Sequence, residues 1–422
     1  MRGERPRVAL YWYLCAGVLA TSATQLRLPG APVGPGELLL VLWMAAVGIF
    51  FFVGRTRWAI QSGVWPLVGF WIVSFPAMAA GVVASTVAGH AEDSGATRDV
   101  FAMLFVSVFS VVLAISVQSA AAARRVLGLY SLVAAYGLVL LLGFAIVVRA
   151  AGPIDFWYQL IRFVGLATNP NQLALFVAAG PFVLAQALAD GGVGYPRLYW
   201  GAMAAMIVVG IATTSDALMV AWISGLGVAV SWKWIQEIRK EHGSILRPAL
   251  LVVVVPLWVV GLLVLVGLPL YRSVEAEVVT LIQLGSQASV RLTLWGNGVV
   301  ALAASPFFGW GPGAHSGIGR AFEAMEAHST YVDWAASTGL IGLCALLCLV
   351  IATLMRCVLA NKVYLALAVL SLATFSSFHY VLRQPVFWFY LVTILASVSK
   401  FPRQVARSPS PRVDELVGVG ER

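Results

Sequence analysis

Three kinds of side chain in this sequence stand where they can do chemistry. His328 lies in Ala327-His328-Ser329-Thr330-Tyr331, at the end of the one long hydrophilic stretch, residues 271–330, and just ahead of an apolar run that opens at Trp334. An imidazole titrates near neutrality and can take a proton from a hydroxyl, and a polar loop ending at a helix mouth is where a membrane protein exposes such a group. His315, in a glycine-rich part of the same stretch, is the rival candidate. The simpler reading of His328 is a helix-start histidine hydrogen-bonded to a carbonyl or held by Glu326. Arginines form the second group: Arg162, Arg291 and Arg320 carry planar guanidinium forks, whose paired donors match phosphate oxygens. Gly309, Gly311, Gly313, Gly317 and Gly319 form the third. They either present amides to an anion or make a turn that needs positive φ, and the turn is the commoner use.

The elements that must position these groups are apolar helices. With 60% hydrophobic and 11% charged residues and a mean hydropathy of +0.90, a chain of 422 residues cannot hide its apolar surface in a soluble core. The fold class expected is all-α, a polytopic membrane protein with about twelve transmembrane helices and one large outer-face loop carrying short helices. The spans fall near 8–26, 36–53, 59–84, 100–118, 126–148, 171–189, 198–212, 215–232, 249–270, 331–355, 363–380 and 386–399. No run alternates with a period of two, which disfavours strands. Residues 1–400 read as one integral-membrane domain, with the loop at 271–330, and the Pro/Ser-rich basic segment 401–422 reads as a disordered cytoplasmic tail.

Basic residues favour cytoplasmic loops. With the N-terminus inside, 19 of the 27 Lys and Arg residues fall on that side, which makes both termini cytoplasmic. The eight left outside are all arginine: Arg27, Arg98, Arg149, Arg162, Arg272, Arg291, Arg320 and Arg383. Each has a plain alternative to phosphate binding, a salt bridge to Asp155, Glu275, Glu277 or Glu326. His379 and Arg383 read as a further outer polar pair with a structural role. The net charge of +9 is scattered among short loops, so there is no basic stripe for nucleic acid. The four cysteines, Cys15, Cys344, Cys348 and Cys357, sit in or beside helices and suggest neither a disulfide framework nor a metal site. Glu92-Asp93 and Glu275-x-Glu277 read as solvated faces, so no essential metal is expected.

Arg162-Phe-Val-Gly165 leads into Asn169-Pro170-Asn171 at the start of a span; Arg291 has Trp295 four residues on; Pro306 to Gly313 is Pro-x-x-Gly-x-Gly-x-Gly; and His328 precedes Gly339-Leu-Ile-Gly342. In this order and spacing the sequence resembles the O-antigen ligase and polymerase superfamily, integral-membrane glycosyltransferases of bacterial surface polysaccharide. The resemblance covers roughly residues 160–345. Two positions depart from the pattern: Ser329 follows His328 where members carry Asn, and Thr213-Thr214-Ser215-Asp216 ends in an acid where members often carry Arg.

The resemblance implies transfer of an oligo- or polysaccharide from an undecaprenyl-pyrophosphate donor to a hydroxyl on a glycan or glycolipid acceptor, at the outer face of the cytoplasmic membrane. His328 would be the general base. Arg162, Arg291 and Arg320 would hold the pyrophosphate, with His315, Asn171 and Asp216 as secondary candidates. No cofactor is implied; the partners are the lipid-linked glycan, the acceptor, membrane lipids and other polysaccharide assembly proteins. The competing reading is a transporter or flippase of polyprenyl-linked sugars. It calls for internal repeats and ionisable residues at mid-membrane depth, and the sequence shows neither.

Overall fold

The computed structural model describes residues 5–28, 33–53, 62–89, 94–191, 193–242, 287–313 and 326–399. The chain runs through α1 (Arg5–Ala20), α2 (Pro35–Phe52), α3 (Trp65–Val87), α4 (Ser94–Ser116) and α5 (Ala120–Val148). Two small hairpins follow, β1 (Ala150–Ala151) with β2 (Ile154–Asp155) and β3 (Trp157–Tyr158) with β4 (Arg162–Phe163), both antiparallel. Then come α6 (Pro170–Ala178), α7 (Gly180–Ala189), α8 (Pro196–Ala212), α9 (Asp216–His242), α10 (Gln287–Ala304), α11 (Thr330–Leu359), α12 (Val363–Ser376) and α13 (Pro385–Ser397).

Helix starts follow local chemistry. Ser119 caps α5 by accepting from the Ala122 amide at 3.0 Å, and Asn169 caps α6 by accepting from the Asn171 amide at 2.8 Å, with Pro170 next in line where its missing N–H costs nothing. The Glu37 carboxylate reaches back to the Gly34 amide at 3.0 Å and pairs with Arg27 at 2.5 Å.

Apart from the two short hairpins the fold is all-helical, as expected, and twelve spans are not confirmed among the described residues. Among the described residues six helical stretches are long and apolar enough to cross a membrane: Pro35–Phe52, Trp65–Val87, Ala96–Ser116, Ala120–Val148, Pro170–Ala189 and Thr330–Leu359. Five other expected spans are shorter helices, Val8–Ala20, Pro196–Ala212, Asp216–Trp232, Val363–Ser376 and Pro385–Ser397. The expected span 249–270 and the tail 401–422 lie outside the described residues. Hydropathy counts apolar residues without knowing what covers them. All of α13, from Pro385 to Ser397, is buried by protein, so its apolar character reflects a core position as much as contact with lipid. At about 1.5 Å per residue its 13 residues rise only about 20 Å, against a hydrocarbon thickness of about 30 Å. An additional helix, α10, with an apolar part Thr293–Ala304, occupies part of the stretch read as a loop.

The core packs aromatics from α3, α11 and α13. Phe70 stacks on Trp334 at 5.8 Å between centroids, and Trp71 meets Trp388 at 4.8 Å. Polar contacts then sort the helix ends. At one end Arg124 of α5 donates to the Ser397 carbonyl of α13 at 3.2 Å, Lys362 ahead of α12 pairs with Asp190 after α7 at 2.8 Å, and Arg356 of α11 donates to the Gly63 carbonyl. The opposite end gathers the C-terminal ends of α1, α5, α8 and α12, the N-terminal ends of α6, α9, α11 and α13, and both hairpins. There Thr24 bonds Thr168 at 3.1 Å and Gln172 at 3.0 Å, and Gln25 donates to the Asp155 carbonyl at 2.7 Å.

Candidate active site

Arg162 stands on β4 and reaches across to the turn between α8 and α9. Its Nε donates to the Thr214 hydroxyl at 2.9 Å and the Thr213 carbonyl at 3.3 Å, and its Nη2 donates to the Thr214 carbonyl at 3.1 Å. These acceptors are neutral. Among the described residues no carboxylate pairs with Arg162 and its Nη1 donates to no protein acceptor, so the guanidinium is fixed in place with its charge unspent. The next residue in that turn, Ser215, donates to the Asn171 side chain at 2.7 Å. The structure therefore brings Arg162, Asn171 and the Thr213–Asp216 turn into one cluster. Asp216 is exposed at the first turn of α9, where a carboxylate complements the partial positive charge of a helix start.

Other arginines of this end follow the plainer alternative. Arg27 pairs with Glu37; Arg383 pairs with Asp99 at 2.5 Å and with Glu326, and lies over the Tyr380 ring at 5.0 Å. Arg98 adds Asp99 at 3.1 Å and Glu326 at 3.4 Å. Burial works against the Arg383 charge, but the Glu326 and Asp99 carboxylates outweigh it and raise its pKa. His379, read with Arg383 as an outer polar pair, contributes its backbone carbonyl, which accepts from the Thr330 hydroxyl at 2.6 Å.

His328 lies at the mouth of α11 with φ at +55°, half-buried, at the same end of the bundle as Arg162. The two groups do not touch. Arg162 is anchored to the turn between α8 and α9, the loop carrying His328 is anchored through Thr330 to the loop joining α12 and α13, and α12 packs against both α9 and α11. His315 and Arg320 lie outside the described residues, as does the side chain of Arg291, whose backbone belongs to α10.

The glycine segment has a structural task. Gly309 and Gly311 take φ of +67° and +82°, and their amides go to carbonyls: Gly309 to Ser305 at 3.0 Å, Gly311 to Ser337 at 2.9 Å, with Trp310 between them bonding Ala336 at 2.9 Å. Those N–H groups are not available to a phosphate. The Trp310 and Gly311 amides serve a break in α11 at Gly339, where φ is +64° and ψ is −168°. On the far side of the break the Leu340 amide bonds the Pro306 carbonyl at 2.7 Å. The loop thus fills the gap in the ladder, giving the groups freed there partners of the kind buried backbone requires.

A cavity of about 410 Å³ lies at the end of α5 beside the hairpins, lined among others by Arg149, Asp155, Trp157 and Leu160. Among the described residues no group of three or more His, Cys, Asp or Glu side chains has the geometry to hold a metal.

Residues 201–347 match the family model described as O-antigen ligase. The resemblance to the O-antigen ligase and polymerase superfamily holds. No curated protein matches the chain. The matched segment contains the Thr213–Asp216 turn, His328 and the first part of α11 with its break at Gly339; Arg162 lies outside it in sequence and contacts it through Thr214. The match to this superfamily, together with six helical stretches among the described residues that are long and apolar enough to cross a membrane, supports an integral membrane protein and, in general terms, a function of the glycosyltransferase type.

Sequence reasoning missed Thr214 and Asp333. Thr214 was read only as part of a motif. Asp333 is fully buried at the first turn of α11, and its carboxylate accepts from the Ala327 amide at 2.8 Å and the Ser329 amide at 3.2 Å, on either side of His328. An acid five residues after a candidate base, in an otherwise apolar run, was the available signal.

Proposed function

We propose that this protein transfers a glycan from an undecaprenyl-pyrophosphate donor to a hydroxyl of an acceptor glycan or glycolipid at the outer face of the cytoplasmic membrane. The observation that carries this reading is Arg162, a cation rigidly held by neutral acceptors of the matched segment. Breaking the anomeric C–O bond leaves negative charge on the pyrophosphate, and a guanidinium already in place stabilises that charge as it develops. Arg291 and Arg320 supply further charge in this reading. His328 takes the proton from the acceptor hydroxyl. The cavity beside the Arg162 hairpin, with an indole, an acid and a further arginine, gives the first sugars a place next to the phosphates. The end opposite His328 bears Arg124, Arg356 and Lys362, which supports placing that end, and both termini, in the cytoplasm.

The test begins with depletion of the protein and identification of the lipid-linked species that accumulates. A single repeat unit marks a polymerase and a finished chain marks a ligase; donor retained on the cytoplasmic leaflet would instead support the transporter reading. His328→Ala should then lower transfer by about two to four orders of magnitude with protein level and flipped donor unchanged. Transfer at the normal rate in that variant removes His328 from the chemistry.

A further inference from the structure

The loop that carries His328 is pinned at every position but one. Glu326 is held by Arg383 and Arg98. Ala327 and Ser329, both buried, give their amides to the two oxygens of Asp333. Thr330, also buried, donates to the His379 carbonyl at 2.6 Å and accepts from the Val381 amide at 3.0 Å. His328 has no such tie and stays half-exposed, in a left-handed conformation that costs an L-residue about 1–2 kcal/mol.

A buried carboxylate is an expensive cap for a helix. Removing an anion from water costs several kcal/mol unless its lone pairs are filled, and a serine already sits at the N-cap position, although the Ser329 side chain makes no capping bond. The Asp333 oxygens instead go to amides upstream of the first helical residue. They close a ring around a single residue, and that residue is the histidine.

We infer that Asp333 is a positioning residue for His328: its two oxygens fix the peptide units on either side of the imidazole, lock the left-handed turn, and hold the ring toward the bundle end that carries Arg162. The inference rests on the proposed role of His328 for its catalytic meaning, but the clamp itself has a readout free of activity. Asp333→Asn keeps the shape and turns an NH2 donor toward one of the two amides. Asp333→Glu keeps the charge and displaces both oxygens by a methylene.

The experiment uses the full-length protein in detergent and measures how fast diethyl pyrocarbonate modifies His328, by peptide mass spectrometry, beside kcat and KM for the lipid-linked species purified after depletion. Both variants should change the His328 modification rate at least about threefold. They should lower kcat about ten- to a hundredfold with KM within about twofold, the pattern of a misplaced base rather than lost substrate binding. Modification rates and kcat equal to wild type in both variants would overturn the inference. If Asp333→Asn does not yield folded protein, Asp333→Glu decides alone. An altered modification rate combined with full transfer in His328→Ala would keep the clamp and discard the base, so the two readings fail separately.

Discussion

Thr214 holds the Arg162 guanidinium with both of its oxygens, the hydroxyl at 2.9 Å and the carbonyl at 3.1 Å, and it does so from a φ of +48°. A β-branched residue is seldom found there, since its Cβ crowds the backbone. Strain of this kind persists when something else requires the geometry, and here the requirement is to aim two acceptors at one cation. Thr214→Gly should relieve the strain and leave thermal stability in detergent equal or higher, while the lost hydroxyl loosens Arg162 and lowers transfer about tenfold. A variant both less stable and fully active would contradict this division between strain and function.

Arg162→Lys tests whether charge or the fork matters. A lysine keeps the cation, but its single nitrogen cannot meet both the Thr214 hydroxyl and carbonyl and still face a ligand. Transfer should fall at least about tenfold in the lysine variant and further in Arg162→Ala, with folded protein recovered in both. Equal activity of the lysine variant and the wild-type enzyme would reduce the role of Arg162 to bulk charge.

Much of this architecture was legible in the sequence, and its gaps have physical causes. Apolar runs placed helices well, because hydropathy reports burial from water whatever does the burying. For the same reason it does not distinguish lipid from protein as the cover, and α13, wholly buried by protein, has the hydropathy of a span with only 13 residues. The hairpins at 150–163 have strands of two residues, too short to alternate. Asn169-Pro170-Asn171 and Thr213-Thr214-Ser215 were both noticed as motifs, yet their meeting through Ser215 and Asn171 is a contact between segments 44 residues apart, with no local trace. The Arg383 to Asp99 pair, 284 residues apart, is invisible for the same reason. Arg162 and His328, to which the resemblance gives parts in one reaction, stand at one end of the bundle in separate clusters.

The Arg383, Asp99, Glu326 and Arg98 network should behave as one unit. Asp99 is almost wholly buried, so Arg383→Gln leaves its carboxylate relying on the half-exposed Arg98, at a cost of about 3 kcal/mol or more. Asp99→Asn combined with Arg383→Gln should recover part of that loss, because no unpaired charge remains. Thermal unfolding of the two single variants and the double variant forms a cycle, and strict additivity would show that the pair is uncoupled.

Gly339 sets the hardest constraint on the site. A Cβ added there would run into the carbonyl carbon and oxygen of Phe307, in a backbone conformation with positive φ and extended ψ that only glycine occupies readily. Relief by a helical Gly339 is closed off as well, since it would strand the Trp310 and Gly311 amides that bond the carbonyls freed by the break. Gly339→Ala should therefore sharply reduce the amount of folded protein recovered in detergent. Gly143→Ala in α5, where an added Cβ meets nothing within 4 Å, should be neutral or mildly stabilising. Near-wild-type recovery of the Gly339→Ala protein would mean that α11 can run through unbroken, and that the loop from Pro306 to Gly311 is not seated in a gap at all.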